Sequence, residues 1–257
     1  MTTLLEELDE IVEYELDSEV IGTDTRVRVK DTTVGPYRYI CHLEYSGPGY
    51  VAMGTGTLIG PRTVLTAGHC IRDENGRVRD RPEQMIVIPG RNGTGKPPFG
   101  SARAVKFVPF TKVAGRMATD VGIIQLATPI GTTSGYWTRY WAKSKADPIG
   151  RSILPGNLPL PAGTLKVNLS GYPGDKPRGT PFRAYDATVK LTDGVLSYVN
   201  DTFAGHSGSP VWVRRHPTKG GRVMVAIHVA GNSAESQNYG VLIDAAVRKF
   251  IIENTLP

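Results

Sequence analysis

Three short segments of this chain, VLTAGHC, ATDVGIIQL and FAGHSGSP, carry a histidine, an aspartate and a serine in that order. A serine hydroxyl is a weak nucleophile at neutral pH, so it needs an adjacent base, and the base needs a third group that fixes its tautomer. His69, Asp120 and Ser207 can fill these roles only in a fold that brings together residues about 50 and about 90 positions apart. Each residue alone suits a turn, a cap or a core position. Together they predict a triad in which His69 is the general base and acid, Asp120 orients it, and Ser207 forms the covalent intermediate.

The glycines around Ser207 fit this chemistry. Gly205 precedes the serine by two positions and Gly208 follows it. A glycine before the serine lets the backbone turn its N–H groups toward one point, because no Cβ blocks the φ and ψ values required. We therefore expect the N–H groups of Gly205 and Ser207 to form an oxyanion hole, a pair of donors that stabilises the charge of a tetrahedral intermediate.

Short runs of β-branched residues recur along the 257-residue chain, separated by turn sequences such as SGPG, PGRNGTG and YPGDKP. Together with 30 glycines and 19 prolines, this pattern favours an all-β sandwich or barrel. The length allows one large domain or two of medium size. No apolar run is long enough for a membrane-spanning helix.

The first 19 residues hold eight acidic side chains and no lysine or arginine, so this segment carries a charge of −8. The whole chain is +6, which leaves +14 on residues 20–257. The segment lacks the positive start and the apolar core of a signal peptide, and its apolar residues share one helical face. It is either a solvated acidic tail or a detachable segment that covers a basic body, and we favour the second interpretation.

The lysines and arginines of the basic body are scattered, without the basic-aromatic stripe or the motifs of nucleic-acid-binding proteins. We expect their positive field to steer acidic substrates, and we expect no nucleic-acid or membrane partner. No cysteine and histidine cluster has the spacing of a zinc site, so we expect neither a metal nor another cofactor.

The chain has two cysteines, Cys41 and Cys70. The turn at residues 46–49 would fold the strand that contains Cys41 back against the next strand, leaving Cys41 near Gly54. A Cys41–Cys70 disulfide is therefore a candidate, and an oxidising compartment would permit it. The separation of the two Cα atoms decides whether the bond can form.

The segments TGTLIGPRTVLTAGHC, TDVGIIQL, LSGYPGDKP and DTFAGHSGSP resemble the secreted bacterial glutamyl endopeptidases, a branch of the chymotrypsin-like serine proteases. The order histidine, aspartate, serine is also that of chymotrypsin-like enzymes. The resemblance implies an all-β fold of two six-stranded antiparallel β-barrels with a catalytic cleft between them. It also implies a C-terminal helix, for which residues 243–254 have suitable apolar spacing.

The same resemblance divides the chain into three parts. These are an acidic pro-segment (1–19), an N-terminal barrel with His69 and Asp120 (20–135), and a C-terminal barrel with Ser207 that ends in the helix (136–257).

Members of this family cleave after glutamate and less often after aspartate. The resemblance assigns their substrate pocket to His228, Thr202 and the amine of Val20, since VIGTDTRVRV is similar to a mature family N-terminus. A carboxylate that enters such a pocket needs charge-assisted donors to offset its desolvation. Cleavage between Glu19 and Val20 would release the acidic segment and free this amine, so we expect a zymogen.

Two positions depart from the family pattern. His206 stands directly before Ser207, where the family usually has asparagine. Asp201 lies six residues before Ser207, where trypsin-like enzymes hold the aspartate that selects arginine and lysine. A trypsin-like protease is therefore one alternative, and an inactive protease-fold binding module is another. Otherwise the resemblance implies a secreted monomer that acts on protein or peptide substrates with acidic residues.

Overall fold

The computed structural model describes residues 19–111, 117–138, 166–192, 194–214 and 221–257. Apart from Glu19, the predicted acidic segment lies outside the described residues, and its helical pattern stays a prediction. The described part consists mainly of β-strands, which form two groups. In these ranges we find no helix with both the length and the apolar character needed to cross a membrane.

The first group of strands forms a closed barrel. Its members are β2 (Ile40–Gly47), β3 (Tyr50–Gly60), β4 (Thr63–Ala67), β5 (Met85–Pro89), β6 (Ala102–Pro109) and β7 (Val121–Leu126). They pair in the order β2-β3-β4-β7-β6-β5. Every residue of β4 is buried, as expected for a run of β-branched and aliphatic side chains packed on both faces. A short helix, α1 (Gly131–Ser134), follows this barrel.

The second group forms an antiparallel sheet around the other half of the cleft. Its members are β1 (Val27–Arg28), β8 (Lys166–Gly171), β9 (Phe182–Thr192), β10 (Val195–Tyr198), β11 (Pro210–Arg214), β12 (Arg222–Asn232) and β13 (Gln237–Leu242). Because β8 pairs with both β9 and β11, six of these strands close into a ring, and β1 adds to the edge of β9. The prediction of two six-stranded antiparallel barrels is therefore confirmed.

One apolar cluster joins the two barrels. It contains Leu65 and Ile123 of the first barrel together with Trp212 of the second. The C-terminal helix, α2 (Ala245–Asn254), contributes two buried residues, Val247 and Ile251, to the same cluster.

The helix confirms the prediction for residues 243–254, with a start two positions later. The reason is that Asp244 is its N-cap, whose side chain accepts from the N–H groups of Ala246 and Val247 at 2.9 and 2.8 Å. The boundary between the barrels at residues 135 and 136 stays a prediction, since residues 139–165 lie outside the described ranges.

Candidate active site

The histidine and the aspartate of the predicted triad meet because β4 and β7 are paired, with Ala67 opposite Val121. His69 and Asp120 lie just beyond these ends. His69 Nδ1 is 2.6 Å from Asp120 Oδ2, and the main-chain N–H of His69 donates to Asp120 Oδ1 at 2.7 Å. A carboxylate at this position keeps a proton on Nδ1, so Nε2 is the nitrogen that can accept a proton.

The environment of His69 favours the charged ring. Burial acts to lower its pKa, but the Asp120 carboxylate and the neighbouring Cys70 sulfur outweigh that effect and raise the pKa well above the ordinary value. The Asp120 side chain is 11% exposed, so solvent screens this attraction weakly. The pairing stabilises the imidazolium that a general base becomes once it has taken a proton.

Ser207 lies in the loop between β10 and β11, where the two barrels meet. Its carbonyl oxygen accepts from the N–H of Thr55 at 2.9 Å, which ties the loop to β3 of the first barrel. Ser207 and His69 line the same cleft, a cavity of about 250 Å³. The hydrogen bonds among the described residues do not include one from Ser207 Oγ to His69. In substrate-free enzymes this contact is often long and tightens on binding.

The two predicted oxyanion donors are oriented by the groups behind them. The carbonyl of Ala204 accepts from the N–H of Gly174 at 2.7 Å, and the carbonyl of His206 accepts from the N–H of Ser209 at 2.8 Å. Because C=O and N–H of a trans peptide point in opposite directions, the N–H groups of Gly205 and Ser207 point away from these partners. Within the described ranges, neither N–H donates to another protein group.

Two residues that hold the loop around Gly205, namely Thr55 and Gly174, were not predicted from the sequence. Gly205 has a φ of +97°, and a Cβ there would lie 2.5 Å from the carbonyl oxygen of Tyr172. Thr55 Oγ1 donates to the carbonyl of Gly205 at 2.7 Å, and the N–H of Gly174 holds the preceding carbonyl. The GYPGDKP motif pointed to the region of Gly174, but nothing in the β3 sequence marked Thr55.

Thr202 and Val20, two of the predicted substrate-binding residues, lie together. Thr202 is buried, its N–H donates to the carbonyl of Glu19 at 2.8 Å, and its Oγ1 donates to Asn238 Oδ1 at 2.6 Å. The carbonyl of Glu19 and the nitrogen of Val20 belong to one peptide group, so this contact brings Val20 beside Thr202. Asn238 was not predicted, because an asparagine at the start of an apolar strand carries no signal for a binding role.

His228, the third predicted pocket residue, is linked to the same group of residues. Its Nδ1 lies 2.7 Å from the hydroxyl of Tyr198, which donates to the carbonyl of Tyr239 at 3.1 Å. Tyr198 is in turn the strand neighbour of Asn238. Burial lowers the pKa of His228 well below its ordinary value, and positive charge on His69 acts in the same direction. The ring is therefore neutral at pH 7 when no substrate is bound.

Asp201 has a different role from the specificity aspartate of trypsin-like enzymes. It is buried, its Oδ1 accepts from the N–H of Ile21 at 2.7 Å, and its Oδ2 accepts from the N–H and the hydroxyl of Thr25 at 2.7 and 2.5 Å. The carboxylate thus anchors the segment that follows Val20.

Comparison with known proteins agrees with this geometry. A family model described as Trypsin matches residues 26–251.

The chain belongs to the trypsin family.

Among curated proteins, this trypsin-family chain is 37% identical over 233 residues to the glutamyl endopeptidase of Bacillus licheniformis, an alignment that covers 89% of this chain and 66% of that protein. It is 32% identical over 247 residues to a Bacillus subtilis protein named extracellular metalloprotease, covering 92% of this chain and 70% of that protein. A solved structure of a Glu endopeptidase in complex with MPD has a TM-score of 0.72 and 29% identity, over 91% of this chain and 98% of the other. The chain thus spans just under two thirds of its Bacillus licheniformis relative.

In the part of the chain that the structure describes, no group of three or more histidine, cysteine, aspartate or glutamate side chains could hold a metal ion.

His206, which directly precedes Ser207 in this trypsin-family chain, is fully buried. Its Nδ1 accepts from the N–H of Phe203 at 3.1 Å, so the neutral ring carries its proton on Nε2. Across the described ranges this Nε2 has no hydrogen-bond partner. Burial, assisted by the positive charge of Arg26, lowers the pKa of His206 to about 3.

Replacing His206 with asparagine is expected to make the protein less sensitive to acid. Below the ordinary histidine pKa of 6.5 the unfolded chain takes up a proton that the folded protein, with a pKa of about 3, cannot bind. The free energy of unfolding therefore falls as the pH decreases through this window, by about 1.4 kcal/mol per pH unit for one such group. Urea unfolding between pH 7 and pH 4.5 should give a shallower decline for His206→Asn than for the wild type. Parallel curves would contradict this assignment.

The candidate Cys41–Cys70 disulfide is not formed in this structure, in which both thiols are free. The β2-β3 register places Cys41 opposite Gly56 rather than Gly54. Cys41 is fully buried inside the first barrel, whereas Cys70 lines the cleft, with its Sγ 3.6 Å from the carbonyl oxygen of Ser207.

Position 54, rather than position 41, is close enough to Cys70 for a disulfide. A Cβ built on Gly54 would lie 3.1 Å from Cys70 Sγ, close to the Cβ-to-sulfur separation of about 3 Å that an S–S bond of about 2.05 Å produces. We expect Gly54→Cys to form a disulfide under oxidising conditions and to raise the free energy of unfolding by about 3 kcal/mol. Thiol titration should then find one accessible thiol after unfolding, and a reductant should abolish the gain. Gly54→Ser, which cannot form the bond, is the matched control; three titratable thiols in the oxidised cysteine variant would refute the prediction.

Proposed function

We propose that this chain is a serine endopeptidase that cleaves peptide bonds after glutamate, and less often after aspartate. The observation that carries the proposal is the 2.6 Å contact of His69 Nδ1 with Asp120 Oδ2, in the same cleft as Ser207 and the oriented N–H groups of Gly205 and Ser207. Membership of the trypsin family supports the same reaction.

The reaction follows from these positions. Ser207 Oγ attacks the carbonyl carbon of the scissile bond while His69 Nε2 takes the hydroxyl proton. The oxygen that becomes negative receives hydrogen bonds from the N–H groups of Gly205 and Ser207, each of which stabilises the transition state by about 2.7–4 kcal/mol. The C–N bond breaks as His69 passes its proton to the departing amine, and an ester remains on Ser207. Water, deprotonated by His69, then hydrolyses the ester and restores the serine.

The preference for glutamate is attributed to His228, Thr202 and the amine of Val20. A carboxylate beside His228 attracts a proton to the ring and raises its pKa, so the substrate itself favours the charged donor that it needs. The Asp201 carboxylate accepts hydrogen bonds from Ile21 and Thr25. This argues against the trypsin-like alternative, because in that alternative the carboxylate faces an arginine or lysine side chain of the substrate.

A peptide library with every residue type before the scissile bond tests this specificity. Glutamate should be preferred, with aspartate second and glutamine much slower, because an amide cannot form the charge-assisted bond. A preference for arginine or lysine would overturn the proposal. Labelling of Ser207 by a fluorophosphonate separates an enzyme from an inactive binding module, which would remain unlabelled.

We also propose that the uncleaved chain is a proform and that one molecule activates another. The N–H of Glu19 donates to Asn238 Oδ1 at 2.9 Å, and its carbonyl accepts from Asn238 Nδ2 and from the N–H of Thr202, both at 2.8 Å. A carbonyl held there does not lie at the N–H groups of Gly205 and Ser207, which argues against cleavage of the Glu19–Val20 bond by the same molecule. After the cut, the new amine of Val20 has an ordinary pKa of about 7.7–8.0 and is cationic at neutral pH.

Trimming of an inactive proform tests this mechanism. Active enzyme added to the full-length Ser207→Ala chain should release residues 1–19, and N-terminal sequencing should begin at Val20. The same chain with Glu19→Gln should resist trimming. A mature chain that begins far from Val20, or full activity in uncleaved protein, would rule the mechanism out.

We further propose that the protein is secreted and acts as a monomer on protein or peptide substrates that contain acidic residues. The Bacillus subtilis relative is named as extracellular, which supports the location. Recovery of the mature chain from culture medium and its elution volume in size-exclusion chromatography test both points.

A further inference from the structure

The cleft extends beyond Ser207 into the first barrel. The cavity of about 250 Å³ is bounded at one end by Ser207, Gly205 and His69, and it continues along β2, β3 and β5. We call this extension the first-barrel pocket and define it by the lining residues Leu43, Tyr45, Ala52, Met53, Arg79 and Met85. His228, Thr202 and Val20 are not among the residues that line the cavity.

The position of the pocket relative to the triad decides which part of a substrate it can hold. In the proposed reaction the residue before the scissile bond enters the second barrel at His228, and its carbonyl faces the N–H groups of Gly205 and Ser207. The departing amine must lie against His69, because His69 gives it a proton. His69 and its neighbour Cys70 both line the cavity. The first-barrel pocket is therefore on the side of the residues that follow the scissile bond.

Arg79 gives this pocket its charge. It is the one arginine or lysine among the residues that line the cavity, and the lining contains no aspartate or glutamate. Its guanidinium lies 4.4 Å from the ring centre of Tyr45, and Nη1 donates to the hydroxyl of Tyr50 at 2.7 Å. The main-chain N–H of Arg79 donates to the carbonyl of Ile71 at 3.0 Å. This bond fixes the backbone two residues beyond His69.

The guanidinium of Arg79 has no acidic partner, since within the described ranges no carboxylate forms an ion pair with it. The contact of its Nη1 with the Tyr50 hydroxyl is exposed, so a ligand oxygen can reach the outer edge of the guanidinium. A carboxylate fits best, since guanidinium binds it through two parallel hydrogen bonds. The apolar side chains of Leu43 and Met85 can pack against the methylene groups of such a ligand.

We propose that the first-barrel pocket is a second specificity site, which binds the residues that follow the scissile bond and prefers an acidic side chain through Arg79. The proposal rests on the proposed endopeptidase activity. It assigns to Arg79 a substrate-binding role that is separate from the selection of glutamate before the bond.

Quenched fluorescent peptides test this site. All peptides carry glutamate before the scissile bond, and they carry aspartate, asparagine or alanine at the first or the second position after it. For the mature wild type, kcat/KM should be about tenfold higher for an aspartate peptide than for its asparagine counterpart, the effect expected of one charge-assisted hydrogen bond in a partly exposed site. The ratio is measured within one enzyme, so it does not depend on the fraction of folded protein.

Variants of two arginines separate a pocket contact from general attraction. In Arg79→Gln the aspartate-to-asparagine ratio should fall to about one, and in Arg79→Lys it should stay above one. Arg77→Gln removes the same charge from an exposed residue outside the cavity and should keep the wild-type ratio. A wild-type ratio near one, an unchanged ratio in Arg79→Gln, or an equal loss in Arg77→Gln would overturn the proposal. If no peptide of the set is cleaved, the endopeptidase activity itself is refuted, which is a distinct outcome.

Discussion

Ser207→Ala is expected to reduce kcat by about a millionfold, the scale measured when a triad serine is removed from another serine protease. The reason is that His69 and Asp120 then have no hydroxyl to activate, so the covalent route is closed. The oxyanion donors are main-chain groups and remain, and they support a small residual rate. Steady-state hydrolysis of a glutamate peptide and active-site titration measure the loss, and thermal unfolding should show a fold as stable as the wild type.

Ser209→Ala is the matched control for this change. It removes the same hydroxyl from a buried serine of the same loop, and Ser209 Oγ has no hydrogen-bond partner in the part of the chain that the structure describes. The main-chain bond from the N–H of Ser209 to His206 remains in the alanine variant, so most activity should survive. Substantial activity in folded Ser207→Ala, or an equal loss in Ser209→Ala, would remove the assignment of the nucleophile.

His228→Ala is expected to lower kcat/KM for glutamate substrates by about a hundred- to a thousandfold, because the substrate carboxylate loses a charge-assisted donor in a desolvated pocket. The glutamine substrate never had that bond, so the glutamate-to-glutamine ratio should collapse toward one. This ratio is independent of any loss of stability caused by the cavity that alanine leaves. Thermal unfolding of the variant establishes that folded protein is being measured.

Two further variants make the result specific. Tyr198→Phe removes the hydroxyl that lies 2.7 Å from His228 Nδ1 but keeps the imidazole, so it should reduce the ratio by a smaller factor. Asp201→Asn should leave the preference for glutamate in place, because Asp201 holds Ile21 and Thr25. A selective loss of arginine and lysine cleavage in Asp201→Asn, or an intact ratio in His228→Ala, would contradict the proposed pocket.

Much of the candidate site could be predicted because catalysis restricts residue type. A triad needs a nucleophile, a base and an orienting acid, so His69, Asp120 and Ser207 stood out from their segments and chain order alone. The glycine before the nucleophile was equally constrained, since Gly205 has a φ of +97° that side-chain-bearing residues rarely adopt. Short β-branched runs between turns were likewise enough to predict barrels, because alternation and turn residues are local properties of a chain.

The contacts that orient these groups were decided by the tertiary structure. Thr55, Gly174 and Asn238 act through hydrogen bonds to segments more than 25 residues away, and their own neighbours in the chain carry no trace of those partners. Strand register decided that Cys41 faces Gly56 and stays unpaired. A register shift of two residues keeps a side chain on its face but moves its partner by about 7 Å along the neighbouring strand, and the turn at residues 46–49 alone did not specify the register.

The direction in which a side chain points could not be predicted from the sequence either. Asp201 occupies the position of a specificity aspartate, yet its carboxylate binds Ile21 and Thr25, because the N-terminal segment folds against it. Arg79 looked like one of many scattered basic residues until β2, β3 and β5 closed a pocket around it. Sequence determined which chemistry this protein carries, since reactive groups are intrinsic to residue type. The fold determined which groups meet, since burial and hydrogen-bond partners exist only once distant strands and loops have come together.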